Sequence, residues 1–236
     1  MINWSGGKDC TLALHHILNS NEYEVVTMLT TLSQEHNRIS MHGVRRELLD
    51  AQVASIGIHH ETISLPTTTD MTTYDLLMRQ LLDQQKSRGV THSIFGDIFL
   101  EDLKAYRDSK LSQVGMKGVY PLWKRKSSEL LTEFISLGYK AVITCANAEL
   151  LDESWVGRII DENFIKDLPR GVDPCGENGE FHTFVFDGPV LQYPVRFHLG
   201  EKIYRTYPKP SSPLSSNNSS DQRTNTIGFH FIDLTN

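Results

Sequence analysis

Residues 1–125 predict an α/β domain built on a parallel, Rossmann-like sheet, and residues 126–236 predict a smaller α+β domain packed on it. Two observations carry this. From the start to about residue 125, short apolar runs alternate with longer amphipathic stretches, so each helix returns the chain to the same end of the sheet. After Pro174 the apolar runs become hairpin-like, as in 180–186 before Asp187-Gly188-Pro189.

Residues 1–4 form a short strand, followed by a glycine turn and a helix over 10–18. Residues 25–29 read as a second strand. A helix over 44–56 places Leu49, Val53 and Ile56 on one face at spacings of four and three. Residues 62–65 form a third strand that Pro66 stops. The clearest helix covers 73–88, where Tyr74, Leu77, Met78, Leu81 and Leu82 make an apolar stripe and Gly89 ends it. A strand over 92–95 ends in Gly96-Asp97, a more polar helix spans 100–114, and a strand over 119–122 closes the pattern. In the second half, a helix over 127–137 carries Leu130, Leu131, Phe134 and Ile135 and stops at Gly138. A strand over 140–144, a helical stretch over 150–160 and a final strand over 227–234 complete the reading. Residues 208–226 hold six Ser, three Pro and three Asn, too polar to offset ordering entropy, and are expected to be a flexible loop.

Composition narrows the function. Hydrophobic residues make up 39% of 236, enough for a sizeable core, with much of the polar excess in 208–226. The net charge of −6 lacks the basic footprint of a duplex-DNA binder. The three cysteines Cys10, Cys145 and Cys175 form no CxxC, so neither a disulfide framework nor a cysteine-rich zinc site is supported. No apolar run approaches a membrane span and no signal peptide is visible at the start, so a soluble, reduced, cytoplasmic protein is expected.

Trp4-Ser5-Gly6-Gly7-Lys8-Asp9-Cys10 lies between a strand and a helix, where a glycine turn exposes successive N–H groups beside a helix N-terminus. Ser5 can donate from its hydroxyl and Lys8 can neutralise phosphate charge. Asp9 suits a divalent cation carried on a nucleotide; the plainer alternative is a tight turn with an Asp cap and a solvated lysine. Downstream, Gly176-Glu177-Asn178-Gly179-Glu180 brings two carboxylates onto one turn. Two-residue alternation is expected to put His182 on the same side as Glu180. That cluster could bind an amine, orient ammonia or move a proton, or simply be a polar hairpin with Glu180 bonded to His182. Arg158 could clamp a phosphate or carboxylate, or pair with Glu153 or Asp161 at the surface. Asp97, at the end of the fourth strand, is a candidate for magnesium or ribose contact, or a cap of the next helix.

The Ser5–Cys10 turn resembles the S-G-G-x-D-[ST] pyrophosphate loop of the N-type ATP pyrophosphatases, the PP-loop superfamily. With Pro121-Leu122-Trp123, the 151–158 stretch LDESWVGR, the 176–183 stretch GENGEFHT and Phe186-Asp187-Gly188-Pro189, the chain over residues 1–190 is similar to the diphthine–ammonia ligase family. The resemblance implies a HUP-like ATP-binding domain and a family-specific C-terminal substrate domain. It also implies an amide-forming ligase that cleaves ATP to AMP and pyrophosphate and transfers ammonia to an adenylated carboxylate. In that reading Ser5, Gly6, Gly7, Lys8, Asp9, Cys10 and Asp97 hold ATP, and Asp9 holds Mg2+. Lys8, Glu180 and His182 serve the chemistry, while Arg158, Glu177, Glu180 and Thr183 bind substrate. The implied acceptor is diphthine on elongation factor 2, or another carboxylate; an assembly of identical chains is compatible with it. Two departures stand out: Cys10 replaces a hydroxyl residue and is read as filling space, and 208–226 has no counterpart in the shared motifs. A tRNA- or metabolite-directed ATP pyrophosphatase and a non-catalytic nucleotide sensor are the competing readings. The acidic charge and missing CxxC weigh against a tRNA role, and the downstream motif weighs against a sensor.

Overall fold

The computed structural model describes residues 1–66, 69–208 and 226–236. The first sheet is mainly parallel. Strand β1 (Ile2–Asn3) lies between β2 (Met28–Ser33) and β5 (His92–Ile94). Outside them, β2 pairs β4 (His60–Leu65) and β5 pairs β6 (Lys117–Val119), all parallel. A two-residue strand β3 (Arg38–Ile39) runs antiparallel to the end of β2. The crossovers carry α1 (Lys8–Ser20), α2 (Arg46–Ile56), α3 (Met71–Ser87) and α4 (Glu101–Gln113). The chain therefore winds outward from β1 in both directions, and a crevice opens between the ends of β1 and β5 where the strand order reverses.

After α5 (Ser127–Ser136) comes a second, antiparallel sheet in the order β8-β7-β10-β9. Its strands are β7 (Lys140–Asn147), β8 (Phe181–Asp187), β9 (His198–Pro208) and β10 (Thr226–Thr235), and a short helix α6 (Glu162–Asp167) precedes β8. One contiguous core runs through both sheets, from Ile2 and Leu14 to Phe134, Ile143, Phe184 and Leu234. At its margin Asp233 of β10 accepts hydrogen bonds from Arg45 (2.6 and 3.0 Å) and Arg38 (2.8 Å). Those bonds, Arg45's foremost, hold the Asp233 carboxyl at about 2. No helix among the described residues is long and apolar enough to cross a membrane.

Several elements differ from the sequence reading. The 150–160 stretch is not a helix. Asp152 accepts the Ser154 N–H in a tight turn, and the chain then runs extended beside β7, with Gly157, Ile143 and Ile160 exchanging backbone bonds across the pair. Its apolar residues Leu151, Trp155, Val156 and Ile160 are buried all the same, which is why helical spacing was mimicked. Strand β2 lies later than expected because Thr30, though polar, is buried, its hydroxyl donating to the Trp4 carbonyl (2.7 Å). Strands β3 and β9 and helix α6 carried no apolar pattern; β9 is a strand through pairing with β10 rather than through burial. Of the expected loop, Pro208 and Thr226 are paired strand ends, and the rest lies outside the described residues.

Gly96 ends β5 against the start of α1. A Cβ there would stand 2.7 Å from the Asp9 carbonyl carbon and 2.8 Å from the Cys10 nitrogen, backbone atoms that cannot swing aside. Gly96→Ala is expected to lower stability by about 1–3 kcal/mol through overpacking. Urea unfolding measures this, and an unchanged midpoint at unchanged slope would refute so close an approach.

Candidate active site

The crevice between β1 and β5 is a cleft of about 400 Å3. Its base is the Ser5–Cys10 turn. Gly6 takes φ +74°, and a Cβ there would reach 2.9 Å from the Gln52 side chain, so glycine serves both conformation and space. Gln52 of α2, fully buried, fixes this turn. Its Nε2 donates to the carbonyls of Gly6 (3.0 Å) and Val185 (2.6 Å), and its Oε1 accepts from Trp4 Nε1 (2.9 Å). The Val185 N–H donates to the same Gly6 carbonyl, so β8 of the second sheet anchors the turn of the first.

Helix α1 starts after Gly7, which has no side chain to cap the first-turn amides. The Lys8 N–H donates instead to Thr183 Oγ1 (3.0 Å). The Lys8 ammonium is buried, bonded to the Asp9 carboxylate (2.8 and 3.0 Å) and to the Cys175 carbonyl. Burial opposes its charge, but Asp9, with Cys175 and Glu177, outweighs burial and raises the Lys8 pKa. Burial, with Asp173 adding, pushes Asp9 up against the lowering effect of Lys8. Cys10 is buried, its Sγ donating to the Gly7 carbonyl (3.1 Å), and burial raises its pKa. Burial thus favours the neutral thiol at this position.

The far wall comes from the second half of the chain. Glu177 accepts from the N–H groups of Ile98 (2.7 Å) and Phe99 (3.3 Å), tying its turn to the segment after β5. Burial, then the charges of Asp9 and Asp97, raise Glu177 to about 7. His182 packs on His42 with ring centroids 4.6 Å apart. The His42 Nδ1–H donates to the Thr183 carbonyl (3.0 Å), which leaves Nε2 as an acceptor. Burial lowers both histidines, His42 to about 4 and His182 well below its ordinary value, with Lys8 adding to both.

The structure thus brings Ser5, Lys8, Asp9, Cys10, Asp97, Glu177, His182 and Thr183 to one cleft. Gly6 and Gly7 form its supporting turn. Asp97 does not cap α4, whose N-cap is Leu100; it is ion-paired with Arg107, itself over the Phe95 ring. Two expectations are corrected. Glu180 is buried behind the cleft, accepting from the N–H groups of Asp173 (3.1 Å) and Asn178 (2.9 Å) and from the Asn178 side chain (2.9 Å). Strand β8 begins only at Phe181, so strand alternation never set Glu180 beside His182, and its carboxylate braces the turn instead. Arg158 lies outside the cleft, stacked on Trp155 at 4.5 Å and paired with Asp167 (2.6 Å) rather than with Glu153 or Asp161. Sequence reading missed His42, Gln52 and Arg107. It took Tyr74 and Met78 as core stripe, although both line the cleft.

The diphthamide synthase N-terminal domain model matches residues 1–118, and the diphthamide synthase C-terminal domain model matches 126–207. Similar curated proteins are diphthine–ammonia ligases. The Bos taurus protein is 29% identical over 130 residues, covering 52% of this chain and 49% of the relative. The Schizosaccharomyces pombe protein is 23% identical over 212 residues, covering 80% of this chain and 34% of the relative. The Danio rerio protein is 27% identical over 130 residues, 52% of this chain and 51% of the relative. The chain thus spans about half the length, or less, of these relatives.

The depressed histidines make a stability prediction. Between about pH 4 and 6.5 the unfolded chain binds a proton at His42 that the folded chain does not, so this contribution falls as pH drops through that window. Glu177, raised to about 7, has the opposite slope between its unfolded value and 7 and must be subtracted. The difference between wild type and His42→Gln isolates the histidine. Wild type should lose about 1–3 kcal/mol more than the variant on going from pH 7 to pH 4.5. Parallel curves in urea melts would contradict the burial of a neutral His42.

Proposed function

This chain belongs to the diphthamide synthase family, and we propose that it is an ATP-dependent, amide-forming ligase. One observation carries the reading. At the switch point of a parallel sheet, the N-terminus of α1, whose N-cap is a glycine, and the buried Lys8 ammonium share one cleft with the stacked rings of His42 and His182. Cation and helix end suit a triphosphate; unprotonated histidines suit taking up a proton. We divide the chain at 125/126, a choice supported by the change from the first sheet to the second.

The triphosphate lies on residues 5–10. An oxygen of the acceptor carboxylate attacks the α-phosphorus, the bond to the bridging oxygen breaks, and pyrophosphate leaves with that electron pair. Lys8 neutralises the charge that gathers on it, and Thr183 and Gln52 keep the turn in place. Ammonia then attacks the acyl carbon of the acyl-adenylate, AMP departs, and the proton shed by nitrogen passes to His182. His42, oriented by the Thr183 carbonyl, holds that ring. Glu180 acts as a positioning residue through the turn that presents Glu177 and the Cys175 carbonyl.

Asp9 and Glu177 fit a Mg2+ carried on the triphosphate. Both carboxyls are pushed up by burial and by neighbouring acids, a state that a divalent cation relieves. Such an ion screens phosphate charge. The names of the relatives support diphthine as acceptor and ammonia as co-substrate; we take elongation factor 2 as the protein that carries diphthine, as the family resemblance implies. The three free thiols support a reducing compartment, and we assign the chain to the cytoplasm.

The test uses ATP labelled on the α-phosphate, magnesium, ammonium and diphthine-bearing elongation factor 2. Label should appear in AMP, dependent on both acceptor and ammonium; ADP would defeat the assignment. Lys8→Ala should weaken ATP binding by about 10- to 100-fold. His182→Asn should leave it within about twofold while lowering kcat by about 100-fold or more. Loss of ATP binding in His182→Asn would show that the histidine serves the nucleotide instead.

A further inference from the structure

Strand β9 is the outer strand of the second sheet. One edge of its 11 residues pairs with β10, and no strand lies along the other among the described residues. Its side chains are exposed almost throughout, with Leu199 at 55% and Tyr204 at 58%. Such an edge offers unpaired backbone N–H and C=O groups to another strand, and charged side chains are the usual guard against indiscriminate pairing. Here the order of the charges selects a partner.

A β-bulge between Lys202 and Leu199 turns Leu199 to the opposite face, with Leu234, while Glu201, Ile203 and Arg205 share the face that lines one cavity. Read from either end, these three run charged, apolar, charged, with the sign of charge reversed. A two-fold antiparallel pairing keeps matching faces together only when its axis passes through a residue. Centred on Glu201, Lys202 or Arg205, it sets like charges directly opposite each other. Centred on Tyr204, it places Arg205 against Ile203 and Glu201 against Tyr207, with no ion pair. Centred on Ile203, it sets Glu201 of each copy against Arg205 of the other, twice.

We infer that β9 pairs antiparallel with β9 of a second copy of this chain, in the register centred on Ile203. The two four-stranded sheets then join edge to edge. Glu201, Ile203 and Arg205 also line a cavity of about 220 Å3 beside β3, so the pairing brings the second copy to the rim of that cavity.

Sedimentation of the full chain should show a concentration-dependent dimer. Glu201→Arg and Arg205→Glu should each weaken self-association by about tenfold or more, and the double variant E201R/R205E should restore it. Because these side chains are exposed, the melting temperatures of all three should match wild type at concentrations low enough for every chain to be monomeric. Ile203→Cys supplies an independent readout. Cys10, Cys145 and Cys175 are buried, and residues facing across an antiparallel pair are close enough for a disulfide, so mild oxidation should give a covalent dimer. A monomer at every concentration, a dimer indifferent to the single reversals, or a double variant that fails to pair again would overturn the inference.

Discussion

The buried carboxamide of Gln52 is the joint on which the cleft depends. A carboxamide removed from water is tolerated only when its donor and acceptor capacity is used. Gln52 spends its own on Trp4 and Gly6 of the first turn and on Val185 of β8, segments far apart in sequence. The turn that opens α1 is therefore shaped by the helix of the next crossover and by a strand of the second sheet. This explains why one core runs through both sheets. A second sheet free to swing would release the Gly6 carbonyl and the Thr183 hydroxyl that meets the Lys8 N–H. The cleft is pre-formed because its base and far wall are bonded to each other.

The same closeness sets the electrostatics. A single buried ammonium, Lys8, is surrounded by Asp9 and Glu177 and felt by Asp173 through Asp9, while Asp97 is answered by Arg107. Burial, with neighbouring acids adding, raises the pKa values of Asp9 and Glu177. Desolvation, with Lys8 adding, lowers those of His42 and His182.

What the sequence discloses follows the range of the interaction. The Ser5–Cys10 turn is legible because glycines between a strand and a helix are a local signal, and the strand–helix alternation is local in the same sense. Gln52 and His42 are not legible: one sits in an ordinary amphipathic helix and the other in a polar loop, and their partners on the first turn and on β8 are distant in sequence. Tyr74 and Met78 follow the rule for a buried stripe, yet the wall they would meet is missing, so the stripe lines the cleft. The 150–160 stretch misleads for a related reason. Apolar spacing reports burial, and a pair of turns followed by a short extended piece against β7 buries Trp155 and Ile160 as well as a helix could. Glu180 shows the limit of alternation, which holds only once a strand has begun.

The β9–β10 pair carries a consequence for how the chain tolerates change. Strand β7 engages β10 only at Phe229–Phe231, so much of the arm, about 35 Å of extended chain, is held by its own pairing. Pro208 and Thr226 stand opposite each other at its end. A connection between two points already fixed side by side pays little for its length, about 0.6 kcal/mol for each doubling. A reporter or affinity module inserted between Pro208 and Thr226 would therefore add little closure entropy.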